Sequence, residues 1–333
     1  MRLAMMGTGA FAEPTFEALL GSGRQVVGLV TQPDRVIGKE RGSTRQARRG
    51  IKEIAVERGI PVYQPESINT SEGVATLQSW SPDLLVVAAF GQILSKDVLA
   101  TAKHGGINVH ASLLPKYRGA APIAWAIYHG EKQTGVTIIK MSVYLDAGNI
   151  LAQEAVDIGT EETAGELEAR LAPLGAKLAL PVIEQIEAGT ATGIAQDKSL
   201  ITKAPKLTKE HGLIDWTRTA EQVCNQIRAM QPWPTAYTFL HRGGDSSSRV
   251  IVCRAKVNND VDFEIGRSPG QIASQGAPVR LYAGAGAGTS AEIVELQPAG
   301  KRRMTAADFL RGHPLQPGDR FGPETFSENP TVG

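Results

Sequence analysis

Asn108 and His110 stand two positions apart at the end of a short apolar run, in Gly-Gly-Ile-Asn-Val-His-Ala-Ser-Leu-Leu-Pro from Gly105 to Pro115. If Ile107 to His110 close a strand, the two-residue period sends the amide and the imidazole to the same side of a sheet. A lone Asn-x-His pair is ordinary at a strand end, where polar side chains satisfy loop amides. Asp146 changes that reading. It lies in Leu145-Asp146-Ala147-Gly148, a loop after a separate strand, and open α/β sheets gather their functional loops at the carboxyl edge. An amide, an imidazole and a carboxylate at one point suit acyl transfer to an amine. The Asn108 NH₂ can donate to the oxyanion as a carbonyl becomes tetrahedral. His110 can take or return a proton near neutrality, oriented by Asp146. No Ser or Cys sits in a nucleophile elbow, which favours direct transfer with the incoming amine as nucleophile.

Such a cluster needs a sheet to hold it. Arg2 to Met6, Val26 to Val30 and Leu84 to Ala89 are apolar without alternation, as in strands buried on both faces. Phe16 to Leu20, Ile51 to Arg58 and Ala75 to Trp80 fit crossover helices, so the first part reads as a βαβ-type parallel sheet. A strand pair, Thr134 to Met141 and Ile150 to Val156, brackets the Asp146 loop. A long helix from about Thr163 to Gly189 contains Pro173, which predicts a kink or break. The fold class is therefore α/β, a Rossmann-like parallel-sheet domain over residues 1–189, with a polar linker over 190–209. Residues 210–333 hold one helix, Ala220 to Met230, then strand-like runs with Gly-rich turns. They predict a small antiparallel barrel of OB type, with Ala-Gly-Ala-Gly-Ala-Gly-Thr-Ser as a hairpin tip.

The 333 residues are 42% hydrophobic and 21% charged, with a net charge of +1. Charge is not evenly spread. Arg35 to Arg49 carries six basic residues against the single acid Glu40, which points to a localised anionic partner. Two cysteines, Cys224 and Cys253, without a C-x-x-C or a local His cluster, indicate neither a disulfide framework nor a metal site. No long apolar segment marks a leader or membrane span, so a cytoplasmic monomer without membrane attachment is expected. Gly7-Thr8-Gly9-Ala10-Phe11-Ala12 matches a dinucleotide fingerprint, but that motif also wants an acid at the end of the second strand. Here Thr31-Gln32-Pro33-Asp34 displaces the acid into a turn, and a tight strand-to-helix turn explains the small residues better.

Ile-Asn-Val-His-Ala-Ser-Leu-Leu-Pro-Lys-Tyr-Arg-Gly-Ala-Ala-Pro-Ile from Ile107, together with Thr-Gly-Val-Thr-Ile-Ile-Lys-Met-Ser-Val-Tyr-Leu-Asp-Ala-Gly-Asn-Ile-Leu from Thr134, resembles the folate-dependent formyltransferases. That resemblance assigns Asn108, His110 and Asp146 as catalytic and 10-formyltetrahydrofolate as formyl donor, without a metal. It places the folate beside Ser112, Leu113, Leu114 and Pro115, with Ala89 to Leu94 cradling the pteridine.

Several members of that family share this half, so the acceptor is read elsewhere. The stretches from Ala204 to Thr238 and from Leu296 to Phe321 resemble the carboxyl-terminal domain of the methionyl-tRNA formyltransferases, and the likeness then covers nearly the whole chain. It implies formyl transfer to the α-amine of initiator methionyl-tRNA, for translation initiation, with Arg35, Lys39 and Arg41 toward the acceptor stem. The basic loop keeps Gln32-Pro33-Asp34-Arg35 and Gly38 of the family pattern and departs from its paired lysines and length. Tyr144 stands where Gly is usual. The alternatives are a formyltransferase acting on a nucleotide sugar or other small amine, and an RNA-binding relative with impaired catalysis.

Overall fold

The unalternated apolar runs become the central strands of the first unit. They are β1 (Arg2–Gly7), β2 (Gln25–Val30), β3 (Val62–Tyr63), β4 (Leu84–Ala88) and β5 (Gly106–His110), with β6 (Arg118–Gly119), β7 (Gln133–Lys140), β8 (Ile150–Asp157) and β9 (Lys203–Ala204) following. This computed structural model describes residues 1–34, 50–243, 247–258 and 268–325. The main sheet has the order β3-β2-β1-β4-β5-β7-β8. Strands β1 to β5 are mutually parallel, whereas β7 runs antiparallel to β5 and β8 antiparallel to β7. Burial on both faces explains the sequence pattern, since Leu84 to Ala88 are all fully or nearly fully buried.

Between these strands lie α1 (Glu13–Gly21), α2 (Ile51–Glu57), α3 (Ser71–Trp80) and α4 (Lys96–Leu99), with α5 (Pro122–Tyr128) and α6 (Ala164–Glu187) further on. Helix α6 runs unbroken for 24 residues with Pro173 and Pro181 inside it, so the break that Pro173 allows for does not occur. Its buried stripe, Leu167, Leu171, Ala179, Val182 and Ile183, offsets the lost backbone bonds. Gly175 lets this helix approach β5 closely, because a Cβ there would lie 2.6 Å from a Val109 methyl group. Val109 thus packs under α6, and the side chains of Asn108 and His110 take the other face.

Two compact units are present. The first comprises Met1–Ala126, Lys132–Ile158 and Gly165–Lys206; the second Ile127–Glu131, Gly159–Ala164 and Leu207–Gly333. Residues 190–206, polar enough to read as linker, lie along the first unit. Ile194 bridges Ile150 and β9 pairs with β6.

The second unit holds α7 (Ala220–Ala229), β10 (Tyr237–His241), β11 (Ser247–Val257), β12 (Ile272–Gln275), β13 (Arg280–Gly284), β14 (Ser290–Pro298), β15 (Met304–Thr305), α8 (Ala306–Gly312) and β16 (Arg320–Gly322). A capping box between Thr219 and Gln222 starts α7. The antiparallel sheet has the order β12-β13-β14-β11-β10-β16, and a bridge from Gln271 to Arg320 brings its two edges together. That is the curled, barrel-like sheet expected of this half. The Gly-Ala repeat links β13 to β14, and Lys301 and Arg302 stand exposed between β14 and β15.

Candidate active site

Strand β5 delivers Asn108 and His110 to one face, as the two-residue spacing requires. The Asp146 loop reaches them by an unexpected route. Because β7 is antiparallel to β5, with Ile107 opposite Lys140 and His110 opposite Thr137, the loop after β7 departs from the amino end of β5. It then folds back along the sheet, so that Asp146 meets Asn108 and His110, the last residue of β5, at that strand's carboxyl end. Its neck is closed by the Lys140 N–H donating to the Asn149 carbonyl at 2.9 Å. Gly148 is required there, since a Cβ would lie 1.6 Å from the Lys140 carbonyl oxygen.

The loop brings three side chains together. Asn108 Nδ2 donates to Asp146 Oδ1 at 3.3 Å, and His110 Nδ1 lies 3.6 Å from the same oxygen. The other carboxylate oxygen accepts the Gly119 N–H at 2.8 Å. His110 Nε2 stands 2.9 Å from the Tyr117 carbonyl, which only accepts, so Nε2 carries a proton and Nδ1 is the nitrogen turned to Asp146. His110 and Asp146 are 5% and 9% exposed, whereas Asn108 is half-buried. One Asn108 N–H is taken by Asp146; the second is available to an incoming carbonyl oxygen.

The stretch expected against folate is built on β7 and β8. The Thr137 hydroxyl donates to the Ser112 carbonyl at 2.6 Å and accepts the Leu114 N–H at 3.1 Å and the Gln153 amide at 2.8 Å. The Ser112 hydroxyl closes the turn onto the Lys116 carbonyl at 2.7 Å. Ser112 and Leu114 are therefore buried within the turn itself, whereas Leu113, which packs against Gly135, and Pro115 are half-buried. After β4, Phe90 and Leu94 enter the core while Ile93 is 57% exposed. Of the apolar residues expected around a pteridine, Phe90 is thus core and Ile93 is open.

Asp34, the displaced acid of the dinucleotide-like motif, is bonded by Lys52 and Gln64, and these hydrogen bonds hold its carboxyl below the usual range. Thr8 and Thr31 meet instead at the carboxyl ends of β1 and β2, with their hydroxyls 3.2 Å apart. Tyr144 is 74% exposed, so its ring stands in solvent and does not crowd Asp146. Arg35, Lys39 and Arg41 lie outside the described residues. Among the described residues no group of three His, Cys, Asp or Glu could hold a metal ion.

Four contributors to the site carried no sequence signal of their own. Tyr117 and Gly119 act through backbone groups, Gln196 donates to the Asp146 loop, and Arg118 donates to Gln196. Tyr117 to Gly119 follow directly on the Asn-x-His stretch, which is the one pointer the sequence offers.

The formyl transferase family model matches residues 1–183, and the model of its carboxyl-terminal domain matches residues 206–314. The methionyl-tRNA formyltransferase of Citrifermentans bemidjiense is 42% identical over 98% of this chain and 98% of its own length. That of Bacillus subtilis is 40% identical over 96% and 98%. The chain belongs to the methionyl-tRNA formyltransferase family. Solved formyltransferases share its fold at low identity. A sugar 3N-formyl transferase crystallised with dTDP and 5-N-formyl-THF has a TM-score of 0.65 at 17% identity, covering 91% of this chain and 99% of its own. An N-formyltransferase from Helicobacter canadensis, in complex with folinic acid and dTDP-3-aminofucose, also has a TM-score of 0.65, at 18% identity. Against these, the two-domain likeness to the methionyl-tRNA formyltransferase family extends through the second unit at more than twice the identity.

Proposed function

We propose that this chain transfers the formyl group of 10-formyltetrahydrofolate to the free α-amine of initiator methionyl-tRNA, in the cytoplasm where charged tRNA resides, and acts as a monomer. The observation that carries the reading is the Asn108, His110 and Asp146 cluster in a chain that matches methionyl-tRNA formyltransferases from end to end. In this reaction the amine attacks the formyl carbon, and the free N–H of Asn108 stabilises the oxygen that gains charge. Asp146, fixed by Gly119 and Asn108, accepts a proton from the attacking nitrogen, and the imidazole of His110 shares that proton through Nδ1; as the bond from the formyl carbon to N10 breaks, the proton passes to N10 and tetrahydrofolate leaves. An ester-linked α-amine has a pKa below the ~8 of an ordinary α-amino group, so a neutral nucleophile is present near pH 7. No covalent enzyme intermediate is needed.

Leu113 and Pro115 would border the donor, and Arg35, Lys39 and Arg41 would meet phosphates of the acceptor stem. A single-turnover assay with formylfolate and charged initiator tRNA tests the reading directly. Formylmethionyl-tRNA should appear; its absence, or faster formylation of an amino-sugar nucleotide, would overturn the assignment of acceptor.

A further inference from the structure

Two residues at the site hold left-handed backbone conformations that side chains other than glycine seldom adopt. Asp146 has φ 49° and Tyr117, whose carbonyl fixes His110, has φ 62°. Such residues persist only where surrounding bonds hold them. For both, one part of that hold comes from a single segment, residues 196–202. The Gln196 amide donates to the Asp146 carbonyl and to the Gly148 carbonyl, each at 2.8 Å. Gln196 Oε1 in turn accepts from Arg118 Nε at 3.1 Å and from a terminal Arg118 nitrogen at 2.7 Å, which fixes the direction of its amide. Thr202 completes the arrangement, accepting the Tyr117 N–H on its hydroxyl at 2.8 Å and the Arg118 N–H on its carbonyl at 2.9 Å.

We propose that Gln196, oriented by Arg118, is a positioning residue for formyl transfer: its two amide bonds set where the Asp146 carboxylate stands relative to Asn108 and His110. The inference rests on the function proposed above. The geometry gives Gln196 a chemically specific task, because only a group with two N–H donors and an acceptor oxygen can face two carbonyls and a guanidinium at once. A glutamate in its place could still bind Arg118, yet the carboxylate would face the carbonyls of Asp146 and Gly148 and repel them. The loop would shift, and a displacement of about 1 Å in a reacting group costs on the order of 100-fold in rate.

The test is Gln196→Glu, alone and with Asp146→Asn, read by single-turnover formyl transfer, by KM for both substrates and by amide hydrogen exchange. The single variant should lose about 100-fold in kcat with both KM values near wild type. Added to Asp146→Asn it should cost little more, since two residues acting as a unit are non-additive. Exchange of residues 143–149 should quicken while the amides of β5 stay protected. Wild-type kcat in Gln196→Glu, a fully additive double variant, or unchanged exchange in 143–149 would each overturn the proposal. Exchange needs no turnover. A wild-type chain that fails to formylate charged tRNA would count against the proposed function alone, and the loop measurement would still decide the role of Gln196.

Discussion

His110 Nδ1 faces Asp146 Oδ1 at 3.6 Å while Nε2 is held by the Tyr117 carbonyl, so the imidazole is anchored at one nitrogen and meets the carboxylate with the other. The ring cannot turn toward substrate without giving up a buried bond to Tyr117. The same Asp146 oxygen also accepts from Asn108, whose second N–H has no partner among the described residues. The order of action follows from this. On the proposed function, Asn108 would meet the carbonyl oxygen, Asp146 would meet the amine proton, and His110 would stand behind Asp146 as its partner in sharing that proton.

Removing either end of this chain of contacts should slow chemistry and spare binding. Asn108→Ala should lower kcat by about 10²- to 10³-fold, the usual cost of an oxyanion donor. Asp146→Asn keeps the shape of the loop but loses the proton acceptor, and should lower kcat by about 10²- to 10⁴-fold. Single-turnover formylation and a gel-shift titration with initiator tRNA check both. Loss of tRNA affinity in parallel with rate would mean the residues act by holding the fold.

Thr137 is the anchor of the turn read as the donor's wall, and its hydroxyl serves Ser112, Leu114 and Gln153 at full burial. Thr137→Val preserves volume and strands the Leu114 N–H and the Ser112 carbonyl. Each buried polar group left unpaired costs about 1–3 kcal/mol, and urea unfolding should show a loss of that order. KM for formylfolate should rise more than KM for charged tRNA. Equal rises would place the folate elsewhere.

The Asn-x-His spacing and the apolar runs of β1, β2 and β4 were legible because a strand's period and two-sided burial both mark the sequence directly. The placement of Asp146 was legible as chemistry and not as geometry. Its loop follows a strand that turns out antiparallel to β5, and strand direction leaves no trace in an eight-residue stretch such as β7. Gln196 was unreadable for another reason: it acts on backbone carbonyls about 50 positions away, and its neighbours have the composition of a linker. Pro173 reports a local cost, and α6 continues through it because its long buried stripe holds the helix.

Both cysteines should be silent in the folded chain. Burial pushes the Cys224 thiol up to about 12, with Arg228 opposing, and burial also raises Cys253. In the unfolded chain a thiol ionises near ~8.5, so above that pH the unfolded state releases protons that the folded state retains. Stability should therefore fall as pH climbs from about 8.5 toward 12. Ellman's reagent at about pH 8, just below the ordinary thiol range, should leave the native protein unlabelled and titrate both thiols in denaturant. Rapid labelling of the half-buried Cys224 in the native state would contradict the upward shift of its thiol.

The basic loop gives the last test, and salt dependence makes it specific. Arg35, Lys39 and Arg41 lie in a stretch with six basic residues and one acid, in a chain whose net charge is only +1. A general charge effect and a set of phosphate contacts both lower affinity when lysine or arginine is removed. They differ in how affinity depends on salt. Each phosphate contact releases counterions and adds roughly 0.7 to 0.9 to the slope of log K against log salt. Replacing Lys39 and Arg41 together by alanine should therefore weaken initiator-tRNA binding and flatten that slope by about one to two. The rate constant for formyl transfer at saturating tRNA should hold, because Asn108, His110 and Asp146 are untouched. A weaker affinity with an unchanged slope would assign the loop to shape or folding. A flattened slope with an unchanged saturating rate would assign it to the acceptor stem, separating recognition of the tRNA from the chemistry performed on β5.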